Sequence, residues 1–510
     1  MSLDYRKLQN GSDIRGVALE GIEGELKNLG KEETFRLTRA FIMWLSDKTR
    51  KEPVELTISV GTDSRITANS LKEAVVDTLV HIGVKVFDAG MASTPAMFMS
   101  TLFEEYMCDG AIMITASHLP FNRNGFKFFD KNGGLNKKDI TDIISYAQSE
   151  IVIENIRMTD TYDTNPPTEA DLIGTYCDYL MAKIALEVNH PTHPEKPLSG
   201  LKIVVDAGNG AGGFYATRIL KPLGADITGS QFLEPDGHFP NHVPNPEDSD
   251  AMASISKAVI KNKADLGLIF DTDVDRVSAV DSKGNEISRN KIVAIAAALI
   301  AIEHPGTTVV TDSITSDQLT PYLEKCLGLK HLRYKRGYKN VINKAIELNK
   351  DGIDSQLAIE TSGHAAYKEN FFLDDGAYLA TKIVIKLAKL HMQHENIEVL
   401  LTGLEEPKEA TEIRFKIDGS DFALYADNVL EGFKFWAMDR ENQGIKIVEP
   451  NYEGIRLNFD LPEVKGWCLL RKSLHDPILP LNIEVTDGEC ETILSMVTAF
   501  LSNYQRVRIK

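Results

Sequence analysis

The sequence predicts an α/β protein with three similar α/β domains of mixed, mainly parallel sheets, followed by a C-terminal α+β domain. Three observations carry this. Up to about residue 404, short apolar runs ending in polar loops alternate with stretches of helical periodicity. Beyond about residue 405 apolar residues alternate singly, as in 412–417 and 455–459, the pattern of antiparallel strands with one face on a core. At 510 residues the chain is also too long for one core and divides into three or four. The expected boundaries are 1–165, 166–285, 286–404 and 405–510.

The first domain opens with Gly11-Ser12-Asp13-Ile14-Arg15-Gly16, turn-rich and holding one arginine. A helix follows around 33–47, then a strand at 56–60 and the loop Gly61-Thr62-Asp63-Ser64-Arg65. A helix near 69–82, a strand at 84–87, a turn at 90–95 into another helix and a buried strand at 111–114 continue the alternation. Residues 160–167, polar and proline-bearing, read as a linker. The second domain begins with a helix near 169–188 and a strand at 201–205 that runs into Asp206-Ala207-Gly208-Asn209-Gly210-Ala211-Gly212. That spacing is wrong for Gly-x-Gly-x-x-Gly, so a tight strand-to-helix turn is preferred to a nucleotide site. A strand at 264–270 closes this domain. The third carries a long apolar helix after 286, a strand at 309–310, Tyr334-Lys335-Arg336-Gly337-Tyr338-Lys339 and a strand at 356–359. Loops at strand ends are the natural ligand sites of such sheets.

With 43% hydrophobic and 25% charged residues, this is the composition of an ordinary globular chain. The net charge of −18 argues against nucleic-acid and membrane-surface partners, while leaving room for a local basic pocket. Cys108, Cys177, Cys326, Cys468 and Cys490 are odd in number and lack metal-ligand spacing, as expected for reduced packing residues in a cytoplasmic protein. The N-terminus has no signal pattern, and the longest apolar run, 292–302, is too short for a bilayer, which needs about 20 residues.

Four loops hold the residues suited to chemistry. Thr115-Ala116-Ser117-His118-Leu119-Pro120 follows a buried strand, and a polar turn at 122–125 is expected to bring Lys127 back towards Ser117. The bland alternative is a helix cap or turn, which Ser and Thr also favour. Asp271, Asp273 and Asp275 are spaced by two, so in an extended loop they point the same way and suit a hard cation such as Mg²⁺. The alternative is an acidic surface loop. An EF-hand is ruled out by Arg276 and Ser282, where Gly and Glu are required. An aspartyl-phosphate nucleophile at Asp271 leaves Ser117 unexplained. Glu360-Thr361-Ser362-Gly363-His364 offers Glu360 and Ser362 to sugar hydroxyls and His364 as a proton carrier, unless it only caps a helix. Arg471 and Ser473 could clamp a phosphate, against the alternative of a solvated basic pair.

Together these loops resemble the α-D-phosphohexomutases, the phosphomannomutase/phosphoglucomutase family. The resemblance rests on 115–120 with Asn124, Gly125 and Lys127, on 271–276, on 360–364, and on Arg471 with Ser473, in the family's order and over nearly the whole chain. Leu119 stands where the family usually has Asn, and Thr272 where it has Gly. In the last loop Lys472 and Leu474-His475-Asp476 depart from the usual Arg-Pro-Ser-Gly-Thr-Glu-Pro. Ile314 stands where many members have lysine, leaving Lys335 or Lys339 as substitutes.

What the resemblance implies is four domains around a central cleft. In it Ser117 would carry a phosphoryl group whose oxygen joins Asp271, Asp273 and Asp275 around Mg²⁺, so that Ser117 counts with the aspartates in the metal set. A hexose 1-phosphate or 6-phosphate, of glucose and/or mannose, would pass through a bound 1,6-bisphosphate, with glucose 1,6-bisphosphate as activator. Arg15, Arg276 and Lys127 would neutralise charge. Lys127, His118 and His364 are the acid/base candidates, in that order. Glu360, Ser362, Lys339, Arg471 and Ser473 would bind substrate. The expected partner is a small phosphosugar, and the expected state a monomer or weak homodimer. A glucosamine or N-acetylglucosamine phosphate mutase is the near alternative, and a catalytically silent phosphosugar-binding protein the alternative of another class.

Overall fold

The computed structural model describes residues 4–149, 166–419, 421–473 and 476–508. Most of the expected linker, and His475, lie outside these. The chain divides into two compact units, 1–292 with 362–400, and 293–361 with 401–510.

The first unit begins with an eight-stranded mixed sheet. Thr57–Thr62 lies between Lys85–Met91 and Gly110–Ile114, parallel to both. Arg123–Asp130 then runs antiparallel to Gly110–Ile114, and Asp13–Val17 antiparallel to Arg123–Asp130. Alternation along these strands sends Ile14, Ile58, Val60, Ile112, Ile114, Phe126 and Phe128 into one core under the helices Lys31–Thr49, Ala68–His81 and Lys137–Gln148. Because the period is two, Arg15 and Lys127 fall on the opposite face. Arg15 lies across from Gly125, and Lys127 from Met113. A side chain at Gly125 would strike the Ile14 carbonyl at 1.9 Å, so only glycine permits this pairing.

Two local expectations change here. Arg15 lies on a strand rather than in a turn. The turn expected at 122–125 ends at Asn122, and Asn124, Gly125 and Lys127 already belong to Arg123–Asp130. A hairpin ladder therefore brings the lysine back, since eight residues of extended strand reach further than a turn could.

A second mixed sheet in this unit pairs Leu266–Phe270 parallel with Ile203–Asp206 and antiparallel with Val277–Asp281. Val204, Ile269 and Val280 pack on Ile255 and Val259 of the helix Ser249–Asn262. Residues 362–400 add the hairpin Ala365–Tyr367 with Leu373–Asp374 and the helix Gly376–His391. Asp375 caps that helix by accepting from the Tyr378 amide at 2.8 Å. It also accepts from the Tyr176 hydroxyl at 2.6 Å and the Asn370 amide at 2.9 Å, which ties it to the helix Leu172–Val188.

In the second unit Thr308–Thr311 lies between Lys330–Arg333 and Leu357–Ile359, all parallel. An antiparallel sheet follows: Ile445–Ile447, Ile455–Asp460, Lys465–Leu470, Ile478–Asp487, Glu409–Ile417 and Val507–Arg508 in spatial order. The helices Phe422–Met438 and Cys490–Leu501 cover it through Val429, Phe433, Ile493 and Val497. All five cysteines are unpaired, and no helix among the described residues is long and apolar enough to cross a membrane.

Burial pushes the Asp375 carboxyl up to about 6, against hydrogen bonds that favour its ionised form. A raised acid pKa gives stability that is fully present below the unfolded value near 4 and is lost as pH rises through about 6. Asp375→Asn removes this titration. Urea unfolding should show wild type losing stability relative to the variant between pH 4 and 7, by up to about 3 kcal/mol.

Candidate active site

Ser117 sits just beyond Gly110–Ile114 with φ 49°, a left-handed conformation uncommon for a non-glycine residue. Its amide donates to the Thr115 hydroxyl at 2.8 Å, and the Thr115 amide donates to the Gly125 carbonyl at 3.1 Å. Arg15 reaches the same bend, with Nη1 donating to the Thr115 carbonyl at 3.0 Å and Nη2 to Asp13 at 2.7 Å. The Ser117 Oγ donates to Asp271 Oδ2 at 2.9 Å and accepts from Arg276 Nη2 at 3.1 Å.

Asp271, Asp273 and Asp275 converge by a different route from the extended loop that their spacing suggested. Residues 271–276 form a tight turn in which Val274 has φ 66°, an outlying value for a β-branched residue. Three segments hold it. Main-chain amides of Thr94, Ala211 and Gly376 donate to the carbonyls of Asp273, Thr272 and Val274 at 2.8, 2.8 and 3.1 Å. The bend gathers all three carboxylates at full burial.

Lys127 Nζ donates to Asp273 Oδ2 at 3.0 Å and to Asp275 Oδ2, and the Thr94 hydroxyl donates to Asp273 Oδ2 at 2.5 Å. Arg276 donates to Asp271 through Nε at 3.1 Å and Nη2 at 3.0 Å. Three carboxylates thus face two cations. Burial, and then Asp275, push the Asp271 carboxyl well above its usual range. Burial also opposes ionisation of Asp275, but Lys127 and His364 outweigh it and hold that carboxyl well down. Arg276 Nη2 donates to His118 Nδ1 at 2.7 Å, and this guanidinium, together with burial, holds His118 well below the usual imidazole range. His364 lies with Nε2 3.5 Å from Asp275 Oδ1, while its Nδ1 is 2.8 Å from the Ser362 hydroxyl.

The donor set fits a cation. Asp271, Asp273 and Asp275 offer oxygens within 4.8 Å of one another, and Asp273 Oδ1 is buried without a hydrogen-bond partner. Orphaned carboxylate oxygens are costly, and an all-oxygen set suits a hard divalent ion. Asp275, His364 and Asp374 converge within the same distance, so Asp275 is shared between two such groups.

The first unit therefore brings together Ser117, His118, Lys127, Arg15, Arg276, Ser362, His364 and the three aspartates. Glu360, Lys339, Arg471 and Ser473 belong to the second unit. There Glu360 Oε1 accepts from the Gly337 amide at 2.6 Å, and Lys339 lies in the first turn of the helix Tyr338–Lys350. Lys335 instead places its Nζ 5.9 Å from the Tyr334 ring centroid. Arg471 is buried with its Nε unpartnered, and burial and then Arg336 lower its pKa. The Ser473 hydroxyl accepts from the Asp476 amide at 3.2 Å.

Sequence reasoning missed Asp312, which accepts from the Thr361 amide at 3.3 Å and its hydroxyl at 3.0 Å. Burial and then Glu360 push it up to about 7. It missed Thr94 as well. The usable signal was position, since Asp312 directly follows the strand Thr308–Thr311.

A serine set against buried carboxylates and two cations, at the strand ends of α/β domains, defines an enzyme of the phosphoryl-transfer type. Residues 6–151, 175–284 and 288–402 match the alpha/beta/alpha domains I, II and III of phosphoglucomutase/phosphomannomutase. A phosphomannomutase/phosphoglucomutase of Pseudomonas syringae pv. tomato is 28% identical over 496 residues, covering 96% of this chain and 94% of that one. A phosphoglucomutase of Neisseria gonorrhoeae is 28% identical over 502 residues, covering 98% and 97%. The crystal structure of a phosphoglucomutase/phosphomannomutase family protein from Burkholderia thailandensis superposes with a TM-score of 0.76 at 25% identity, covering 98% of each chain. The chain belongs to the phosphoglucomutase/phosphomannomutase family of α-D-phosphohexomutases, enzymes that move phosphate within hexose phosphates.

Because a cation at the three aspartates binds the folded chain alone, millimolar Mg²⁺ should raise the melting temperature by a few degrees. Asp273→Asn should remove most of that rise, as read by calorimetry with and without chelator.

Proposed function

We propose that this chain interconverts hexose 1-phosphate and hexose 6-phosphate, of glucose and/or mannose, through a phosphoserine at Ser117 and a bound 1,6-bisphosphate. The observation that carries this is the Ser117 Oγ held between Asp271 Oδ2 and Arg276 Nη2. The hydroxyl is already placed against the carboxylate triplet and beside a guanidinium able to take phosphoryl charge.

In the forward step the Ser117 Oγ–P bond breaks as a P–O bond forms to the free O6 or O1 of the substrate. The substrate hydroxyl proton leaves to a base, and Ser117 Oγ regains a proton when the transfer is complete. The bisphosphate then turns over and returns its other phosphoryl group to Ser117. Mg²⁺ bound by Asp271, Asp273 and Asp275 would supply Lewis-acid charge neutralisation. Arg276 and Arg15 add fixed positive charge near Ser117.

The acid/base candidates separate on geometry. Lys127, clasped by Asp273 and Asp275, has its Nζ at the carboxylate triplet and is the first acid/base candidate. His118 receives Arg276 at Nδ1 and is poorly basic there, so it orients the serine. His364, with Nδ1 on Ser362 and Nε2 towards Asp275, is the better proton carrier of the two histidines. Glu360 and Ser362 would take the sugar's middle hydroxyls, and Arg471, Ser473 and Lys339 the non-reacting phosphate. The unpartnered Arg471 Nε supports that assignment. Glucose 1,6-bisphosphate would activate by charging Ser117.

Intact-mass measurement and peptide mapping after incubation with glucose 1,6-bisphosphate and Mg²⁺ should show one phosphoryl group on Ser117. Ser117→Ala should lower turnover at least about a thousandfold. Label on Asp271, or turnover that survives Ser117→Ala, rejects the phosphoserine route. Competition among glucose, mannose and glucosamine phosphates then ranks the sugars.

A further inference from the structure

We infer that Arg65 is the positioning residue of the serine loop, holding the main chain of 117–123 so that Ser117 Oγ sits where transfer requires it. This rests on Ser117 as the phosphoryl carrier.

The loop carrying Arg65 leaves Thr57–Thr62, the strand next to Gly110–Ile114. Thr62 pairs with Ile114, and the Asp63 amide donates to the Ile114 carbonyl at 3.1 Å. The two loops therefore leave one sheet edge side by side, and the Arg65 side chain, fully buried, runs beneath the serine loop. Its Nη1 donates to the carbonyls of Pro120 and Arg123, both at 2.8 Å. Its Nη2 donates to the Leu119 carbonyl at 2.6 Å and to the carbonyl of Ser117 itself. One planar fork thus satisfies three main-chain acceptors of a loop that forms no regular secondary structure, and a fourth on Arg123, where the next strand begins. The loop needs such a frame, because Ser117 is held at φ 49° and relaxation of that bend would swing Oγ away from Asp271 and Arg276.

The other face of the guanidinium meets Phe239, whose ring centroid lies 5.4 Å from it. At Gly237 the same segment presses on the Arg65 loop so closely that a Cβ there would meet the Ile66 amide nitrogen at 2.4 Å. A few residues on, Asn245 Oδ1 accepts from Arg276 Nη1 at 3.0 Å, and Arg276 Nη2 reaches Ser117 Oγ. Arg65 therefore registers the serine loop and the segment that steadies Arg276 against each other. Its charge partner is Asp63, 3.4 Å from Nε and likewise fully buried. A buried ion pair of this kind is a poor source of stability compared with apolar packing, which leaves geometric precision as its benefit.

Arg65→Lys keeps the charge but cannot span four carbonyls. Single-turnover transfer from glucose 1,6-bisphosphate to Ser117, followed by intact mass, should slow at least about 50-fold in this variant, since misplacement by about 1 Å costs that order of rate. KM for hexose phosphate should stay within about threefold and the circular dichroism spectrum should be unchanged. Guanidinium ion should restore part of the rate to Arg65→Ala where methylammonium does not. Wild-type transfer by Arg65→Lys, or a loss confined to KM, overturns the assignment. Should Arg65→Lys fold poorly, Phe239→Leu loosens the guanidinium without touching its polar contacts. It should slow transfer several-fold, and an unchanged rate overturns the assignment. Absence of label on wild-type Ser117 rejects the carrier itself, whereas normal labelling in Arg65→Lys rejects only the clamp.

Discussion

Three carboxylates gathered on one tight turn, all buried, stand close enough to repel one another, with Lys127 and Arg276 paired against them. Burying such a cluster is unfavourable unless the surrounding structure compels it and a cation completes it. The compulsion comes from the main chain: Thr94, Ala211 and Gly376, distant in sequence, each donate an amide to a carbonyl of the turn. The strained Val274 persists because these bonds leave the turn no alternative.

The two sheets of the first unit supply the opposing charge through simple geometry. In the first sheet the strand period puts Arg15 and Lys127 on the face away from the helix-packed core. In the second, Arg276 ends the turn and starts Val277–Asp281, so its side chain folds back over Asp271. Ser117 then lies within hydrogen-bond distance of both Asp271 and Arg276, so its hydroxyl faces fixed charge that needs little reorganisation.

In the second unit the polar residues are engaged with one another. Glu360 holds the Gly337 amide, and Asp312 holds Thr361. These contacts fix the loop after Leu357–Ile359 through main-chain and side-chain hydrogen bonds within the unit. Arg471 differs from them in being buried with its Nε unpartnered.

The sequence by itself determined the alternation of strand and helix, the change to antiparallel pairing beyond about residue 405, and the loops that carry Ser117, the aspartates and Arg276. Periodicity and residue type are local, and they survive without knowledge of the partner strand. Tertiary structure decided how Lys127 returns to the serine, because a ladder between Gly110–Ile114 and Arg123–Asp130 replaces the expected turn. It decided that the aspartates meet by a bend rather than by alternation along an extended loop, since amides from three remote segments impose the bend. It also gave Arg65, Thr94 and Asp312 their places. Each acts through main-chain or carboxylate partners that lie some 50 to 180 residues away in sequence, and no local pattern encodes a contact of that range.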